Sequence, residues 1–95
     1  MSNYELVYII SPKATTEELP NVVSKVSEFV SKVGGNVTEV VQWGRKKLAY
    51  PVKKFGEGSY VLAKIEIEPS VIKELEASLK LSNEVIRHLL IRVNV

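Results

Sequence analysis

The chain has no cysteine, no aspartate and a single histidine, His88. Without cysteine there are no disulfides, thiolate zinc sites or cysteine nucleophiles, and the absence agrees with a reducing compartment. Without aspartate all 11 acidic residues are glutamates, so a Ser-His-Asp triad cannot be assembled, and one histidine is too few for a histidine-rich metal site. No apolar run approaches the roughly 20 residues that span a bilayer. The opening, MSNYELVYII, puts no positive charge ahead of its short apolar run, unlike an export signal. The expectation is a soluble, cytoplasmic, non-enzymatic protein with no cofactor, metal, membrane contact or small-molecule substrate.

What is present bounds the size. With 95 residues, 45% hydrophobic and 25% charged, the chain reads as one domain, residues 1–95. Such a domain buries about two-thirds of its unfolded surface, enough for one layer of helices on one sheet but not for a deep cavity. The net charge is only +2, from 13 Lys and Arg against 11 Glu, so any binding to a polyanion must be local. Residues 45–54 supply the locality: Arg45, Lys46, Lys47, Lys53 and Lys54 occur there with no acid among them. Cations held close together on a hairpin suit a phosphate backbone. The plainer reading is a solvated edge strand whose lysines discourage sheet-to-sheet pairing.

Hydrophobic periodicity gives the order of elements. Tyr4 to Ile10 is apolar or aromatic except at Glu5, which fits a central strand covered on both sides. Ser11-Pro12-Lys13 breaks it. Thr15 or Thr16 followed by Glu17 and Glu18 has the signature of a helix start, and Val22, Val23, Val26, Phe29, Val30 and Val33 recur at helical spacing until Gly34-Gly35. Asn36 to Val52 reads as a long edge strand, with a bulge at Gly44 and Pro51 restricting it to an edge. A turn is expected at Phe55-Gly56-Glu57-Gly58, whose two glycines are able to take positive φ, before a strand from Ser59 to Ile67 that folds back as a hairpin. Val71, Ile72, Leu75 and Leu79 mark a second helix ending near Leu81, and a last strand runs from Val85 to Val93. This βαββαβ order is the α+β, ferredoxin-like split βαβ: a four-stranded antiparallel sheet with two helices on one face.

A sheet covered on one face should alternate apolar and polar residues, and this one does not. Leu6, Tyr8 and Ile10 are matched by Val7 and Ile9 on the other parity, and the last strand offers both Ile86/His88/Leu90 and Arg87/Leu89/Ile91 as inward sets. Either way, apolar side chains together with Tyr60 and Leu62 are left on the open face. A patch of that extent marks a partner surface more often than an accident.

Trp43-Gly44-Arg45-Lys46-Lys47-Leu48-Ala49-Tyr50-Pro51-Val52 closely resembles the signature of the bacterial small-subunit ribosomal protein S-six family. The resemblance extends to Tyr4-Glu5, to Gly34 after the first helix, to the Gly58 hairpin and to Asn83-Glu84-Val85-Ile86-Arg87. It implies a ferredoxin-like protein that binds small-subunit ribosomal RNA in the central domain, paired with ribosomal protein S-eighteen. The family's basic hairpin falls on Arg45, Lys46 and Lys47, and its final-strand arginine on Arg87. The resemblance also implies that Arg87, Leu89 and Ile91 face outward with Val7, Ile9, Tyr60 and Leu62, the apolar members forming the partner-protein surface. Many members continue into a charged tail whereas this sequence stops at Val95, which leaves tail contacts outside the expectation.

The alternative from another class is a ferredoxin-like small-molecule sensing module, but no glycine-rich turn follows the first strand. An acylphosphatase-like enzyme would need an anion-binding loop where Ser11-Pro12-Lys13-Ala14 stands. An RNA-recognition motif would need stacking aromatics where Val7, Ile9 and Leu62 stand. His88 reads as a structural residue near the sheet edge, and Trp43 as packing or a partner contact.

Overall fold

The structure is a computed structural model that describes residues 2–52 and 55–93, without the side chains of residues 50–52. Strand β1 (Ser2–Ile10) leads to helix α1 (Leu19–Lys32), then strands β2 (Asn36–Val52) and β3 (Phe55–Ile67). A 3-10 turn at Pro69–Val71 opens helix α2 (Ile72–Leu81), and strand β4 (Val85–Arg92) follows. The strands pair antiparallel in the order β2-β3-β1-β4. The sheet is thus the expected ferredoxin-like one, with β1 and β3 central and β2 and β4 at its edges.

Strand alternation sorts the side chains. Tyr4, Leu6, Tyr8 and Ile10 of β1 and Val61, Ala63, Ile65 and Ile67 of β3 point to one side. There Val22, Val26 and Val30 of α1 and Leu75 and Leu79 of α2 close over them in one buried cluster. Burial pushes the Tyr8 phenol far above its ordinary range, so it stays neutral in the core. Both helices therefore cover the same face and leave the other open.

The helix ends follow the expected chemistry with a shifted start. The Thr15 hydroxyl accepts the Glu18 N–H at 3.3 Å and the Glu18 carboxylate accepts the Thr15 N–H at 3.1 Å, a reciprocal capping box. These bonds hold the Glu18 carboxyl below the usual glutamate range. The four capping residues form a turn, and the regular helix begins only at Leu19, with Pro20 in its first turn where no N–H is needed. At the far end Gly34, at φ +83°, donates to Ser31 O at 3.0 Å and Gly35 donates to Val30 O at 2.9 Å, closing α1 in a Schellman turn.

Two expectations need correction. Phe55 to Gly58 is strand rather than turn: Gly58 and Glu57 pair with Lys46 and Lys47, and beyond an irregularity between Lys47 and Val52 the ladder resumes at the pair Val52 and Phe55. Lys53 and Lys54, two of the expected RNA contacts, lie outside the described residues. Neither Gly56 nor Gly58 has positive φ. Gly58 is required for a different reason: a Cβ there would collide with Ile9 Cγ2 and lie 2.9 Å from the Ile10 carbonyl oxygen.

The second correction concerns β4. The β1–β4 register slips between Ile9 and Ile10, leaving Ile86 as the extra residue between Arg87 and Val85. The slip returns Val85 to the core, so the inward set is Val85, His88 and Leu90 rather than Ile86, His88 and Leu90.

Candidate functional site

The open face is read from its register, since residues opposite one another on adjacent antiparallel strands share a side. Val41 lies opposite Leu62, Leu62 opposite Val7, and Val7 opposite Leu89. An apolar row therefore crosses all four strands. One pair along the sheet, Tyr60, Ile9 and Arg87 stand in the next row, with Gly44 opposite Tyr60; on the other side Glu39, Lys64, Glu5 and Ile91 form a mostly charged row. Lys64 pairs there with Glu39 at 3.1 Å. Val7, Ile9, Tyr60, Leu62, Leu89 and Ile91 thus share one side of the sheet, but Ile9 is buried there, only 5% exposed, so it supports the surface without forming much of it. Leu89 and Ile91 are the most exposed of them, at 56% and 48%. A shallow depression of about 180 Å³ between Val7, Ile9, Tyr60, Arg87, His88 and Leu89 is the relief of this surface.

The same alternation divides the basic segment. Arg45 lies opposite Ser59 and Lys47 opposite Glu57, on the helix side of the sheet, whereas Lys46 lies opposite Gly58 on the open side. The Arg45 guanidinium donates to the carbonyl oxygens of Pro12 at 3.3 Å and Ala14 at 3.5 Å and stands 3.8 Å from the Glu57 carboxylate. It ties β2 to the loop after β1. The three consecutive cations therefore do not form one patch: Lys46 joins the face that carries Arg87, and Arg45 and Lys47 serve the opposite side of the edge.

The residue-level reading missed Val41 and the orientation of Trp43. The β2–β3 register slips between Gln42 and Gly44, with Gly44 at φ +86°, so Trp43 is the extra residue of a bulge. The Lys46 ammonium is 5.7 Å from the Trp43 ring centroid, a cation–π distance, which sets the indole on the open side. The glycine was legible in the sequence; its effect on the parity of β2 was not carried through.

The other face offers no competing chemistry. His88 is half-buried on the helix side, 3.8 Å from the Glu76 carboxylate across the α2–β4 contact. Among the described residues no three metal-ligating side chains cluster, and no helix is long and apolar enough to cross a membrane. Lys25 and Ser82 hydrogen-bond the Glu84 carboxylate, each at 2.9 Å, and the Lys25 bond above all holds it below the usual glutamate range.

Comparison with known proteins agrees with this geometry. The family model described as "Ribosomal protein S6" matches residues 3–92. The small ribosomal subunit protein bS6 of Moorella thermoacetica is 45% identical over 93 residues, 98% of this chain and 95% of that protein. The bS6 of Clostridioides difficile is 43% identical over 91 residues, covering 96% of this chain and 98% of its own. Among solved structures, the crystal structure of 30S ribosomal protein S6 from Thermotoga maritima superposes with a TM-score of 0.89 at 31% identity, over 97% of this chain and 87% of that one. The C-terminal domain of the Mycobacterium tuberculosis MgtC protein, TM-score 0.58 at 16% identity, shares the fold alone.

Proposed function

The chain belongs to the ribosomal protein S-six family and is a small ribosomal subunit protein, not an enzyme, and from that premise we propose that it binds small-subunit ribosomal RNA of the central domain jointly with ribosomal protein S-eighteen. The observation that carries the reading is the apolar row Val41, Leu62, Val7 and Leu89 across the open face, with cations beside it. An uninterrupted apolar row on a small sheet is stable in water only at the cost of its hydration, and a protein partner relieves that cost. Val7, Tyr60, Leu62, Leu89 and Ile91 supply the surface for S-eighteen, with the buried Ile9 packed beneath them. Arg87 and Lys46 on the open side, Arg45 and Lys47 on the other side of the edge, and Lys53 and Lys54 beyond the described residues supply the charges for RNA.

A net charge of +2 gives little long-range attraction to RNA, so the protein alone should bind weakly and its partner should strengthen binding. Titrating a central-domain RNA fragment with this protein, first alone and then with S-eighteen present, tests the reading. Tighter binding in the mixture is the expected result, and equal affinity in both titrations refutes joint binding.

A further inference from the structure

At its β2 end the open face carries a feature that a protein partner does not explain. Trp43 is 45% exposed and is the chain's only tryptophan. The bulge at Gly44 holds its ring at the sheet edge, with the Lys46 ammonium beside it. An apolar protein surface docking there would have to strip water from the ammonium together with the indole, which opposes the contact. A nucleotide does not meet that opposition. Its base is a flat ring that stacks on an indole whatever the base identity, and the phosphate attached to it neutralises a neighbouring cation. The surrounding charge agrees: Arg45 to Val52 contains no acid, and Glu57, across the ladder, is on the helix side with Arg45.

We propose that Trp43 and Lys46 form a stacking site for one unpaired base of an RNA strand, beside the apolar patch and not within it. The proposal rests on the RNA-binding reading above and adds to it a contact with a base, which basic residues alone do not provide. Tyr60, opposite Gly44 in the ladder, is the patch residue across from the bulge, so the protein and RNA partners meet along this line.

With one tryptophan in the chain, its emission reports on Trp43 alone. Two probes of equal length and charge are required, a short oligoadenylate and the same backbone made abasic. The oligoadenylate should quench the emission and the abasic probe should not. In anisotropy titrations of labelled probes, Trp43→Ala should weaken oligoadenylate binding about tenfold and leave the abasic probe unaffected. Trp43→Phe should keep most of the affinity, and Lys46→Gln should weaken both probes alike. Equal binding of the two probes without quenching overturns the stacking site while backbone binding stands. Binding of neither probe also overturns it, and the joint titration with S-eighteen then decides separately whether the RNA reading falls. Emission that ignores oligoadenylate but shifts to shorter wavelength on adding S-eighteen assigns Trp43 to the protein interface and overturns the proposal.

Discussion

Leu62→Glu places a carboxylate in the middle of the apolar row, with Val41 on one side and Val7 on the other. Leu62 is half-buried in the free chain. The area it leaves for a partner is on the order of 50 Å², which at about 25 cal/mol per Å² corresponds to about 1 kcal/mol of association. Truncation to alanine should cost that much. Glutamate should cost more, because its carboxylate must be dehydrated between two valines or hold the partner away, adding about 2 kcal/mol. The sum of about 3 kcal/mol is about a hundredfold loss of affinity for S-eighteen. The fold should lose no more than about 1 kcal/mol, since the site faces water and only strand preference changes. That corresponds to a fall in Tm of about 4–8 °C for a domain this small. Ala63→Glu, one residue on and 3% exposed among the helix-facing side chains, is the control and should not fold. Calorimetric titration with S-eighteen and thermal melts followed by circular dichroism measure the two quantities. A folded Leu62→Glu protein that binds S-eighteen like the parent refutes the assignment of this face.

Three further outcomes follow from the structure. Lys46→Ala should flatten the slope of log affinity against log salt for the RNA fragment by about 0.7–0.9, one phosphate contact; Arg45→Ala, which breaks its bonds to Pro12 and Ala14, should change the slope less and lower stability by up to about 1 kcal/mol in urea titrations. Gly58→Ala should destabilise by about 1–3 kcal/mol, because the added methyl meets Ile9 and the Ile10 carbonyl oxygen, and an unchanged melting temperature would contradict the close approach. Glu84, held below the usual glutamate range by Lys25 and Ser82, contributes stability that is present above the unfolded value of about 4.3 and lost as pH falls through the folded one. The parent should therefore lose more stability than Glu84→Gln when the pH is lowered from about 5 to 3, measured by melts at each pH.

Much of the architecture was legible because it depends on periodicity. The spacing of Val22, Val26 and Val30 and of Leu75 and Leu79 marks two helices with one buried stripe each, and these stripes lie in the core. The 17-residue extent of β2 was readable from Asn36 to Val52, since a proline and a glycine within it fit an edge. The hairpin was misread for a physical reason. Gly56 and Gly58 have the composition of a turn, but glycine also serves where backbones approach closely, and only three-dimensional neighbours distinguish the two uses. Nothing in the sequence near Gly58 announces that Ile9 will lie against it.

The functional surface was legible in part for a related reason. Alternation assigns faces along an unbroken strand, and for β3 it set Tyr60 and Leu62 apart from Val61, Ala63 and Ile65, whereas β1 is apolar on both parities and the outward side of Val7 and Ile9 was implied by the family resemblance. A bulge inserts one residue and reverses the assignment for everything beyond it. β2 carries such a slip at Trp43 and β4 one at Ile86, so both edge strands change parity where the polar and aromatic residues are. Read as a string, Arg45-Lys46-Lys47 is a single positive cluster; read through the bulge, it is one cation on the open face and two behind it. The bulge also turns Trp43 toward Lys46 on the open side. Edge-strand irregularity therefore determines which charges can act together, and a count of lysines along the segment does not. A salt-slope measurement on Lys46→Ala and Lys47→Ala, taken singly and together, separates the two views. Additive, equal losses favour a single cluster, and a larger loss for Lys46 than for Lys47 favours the divided surface.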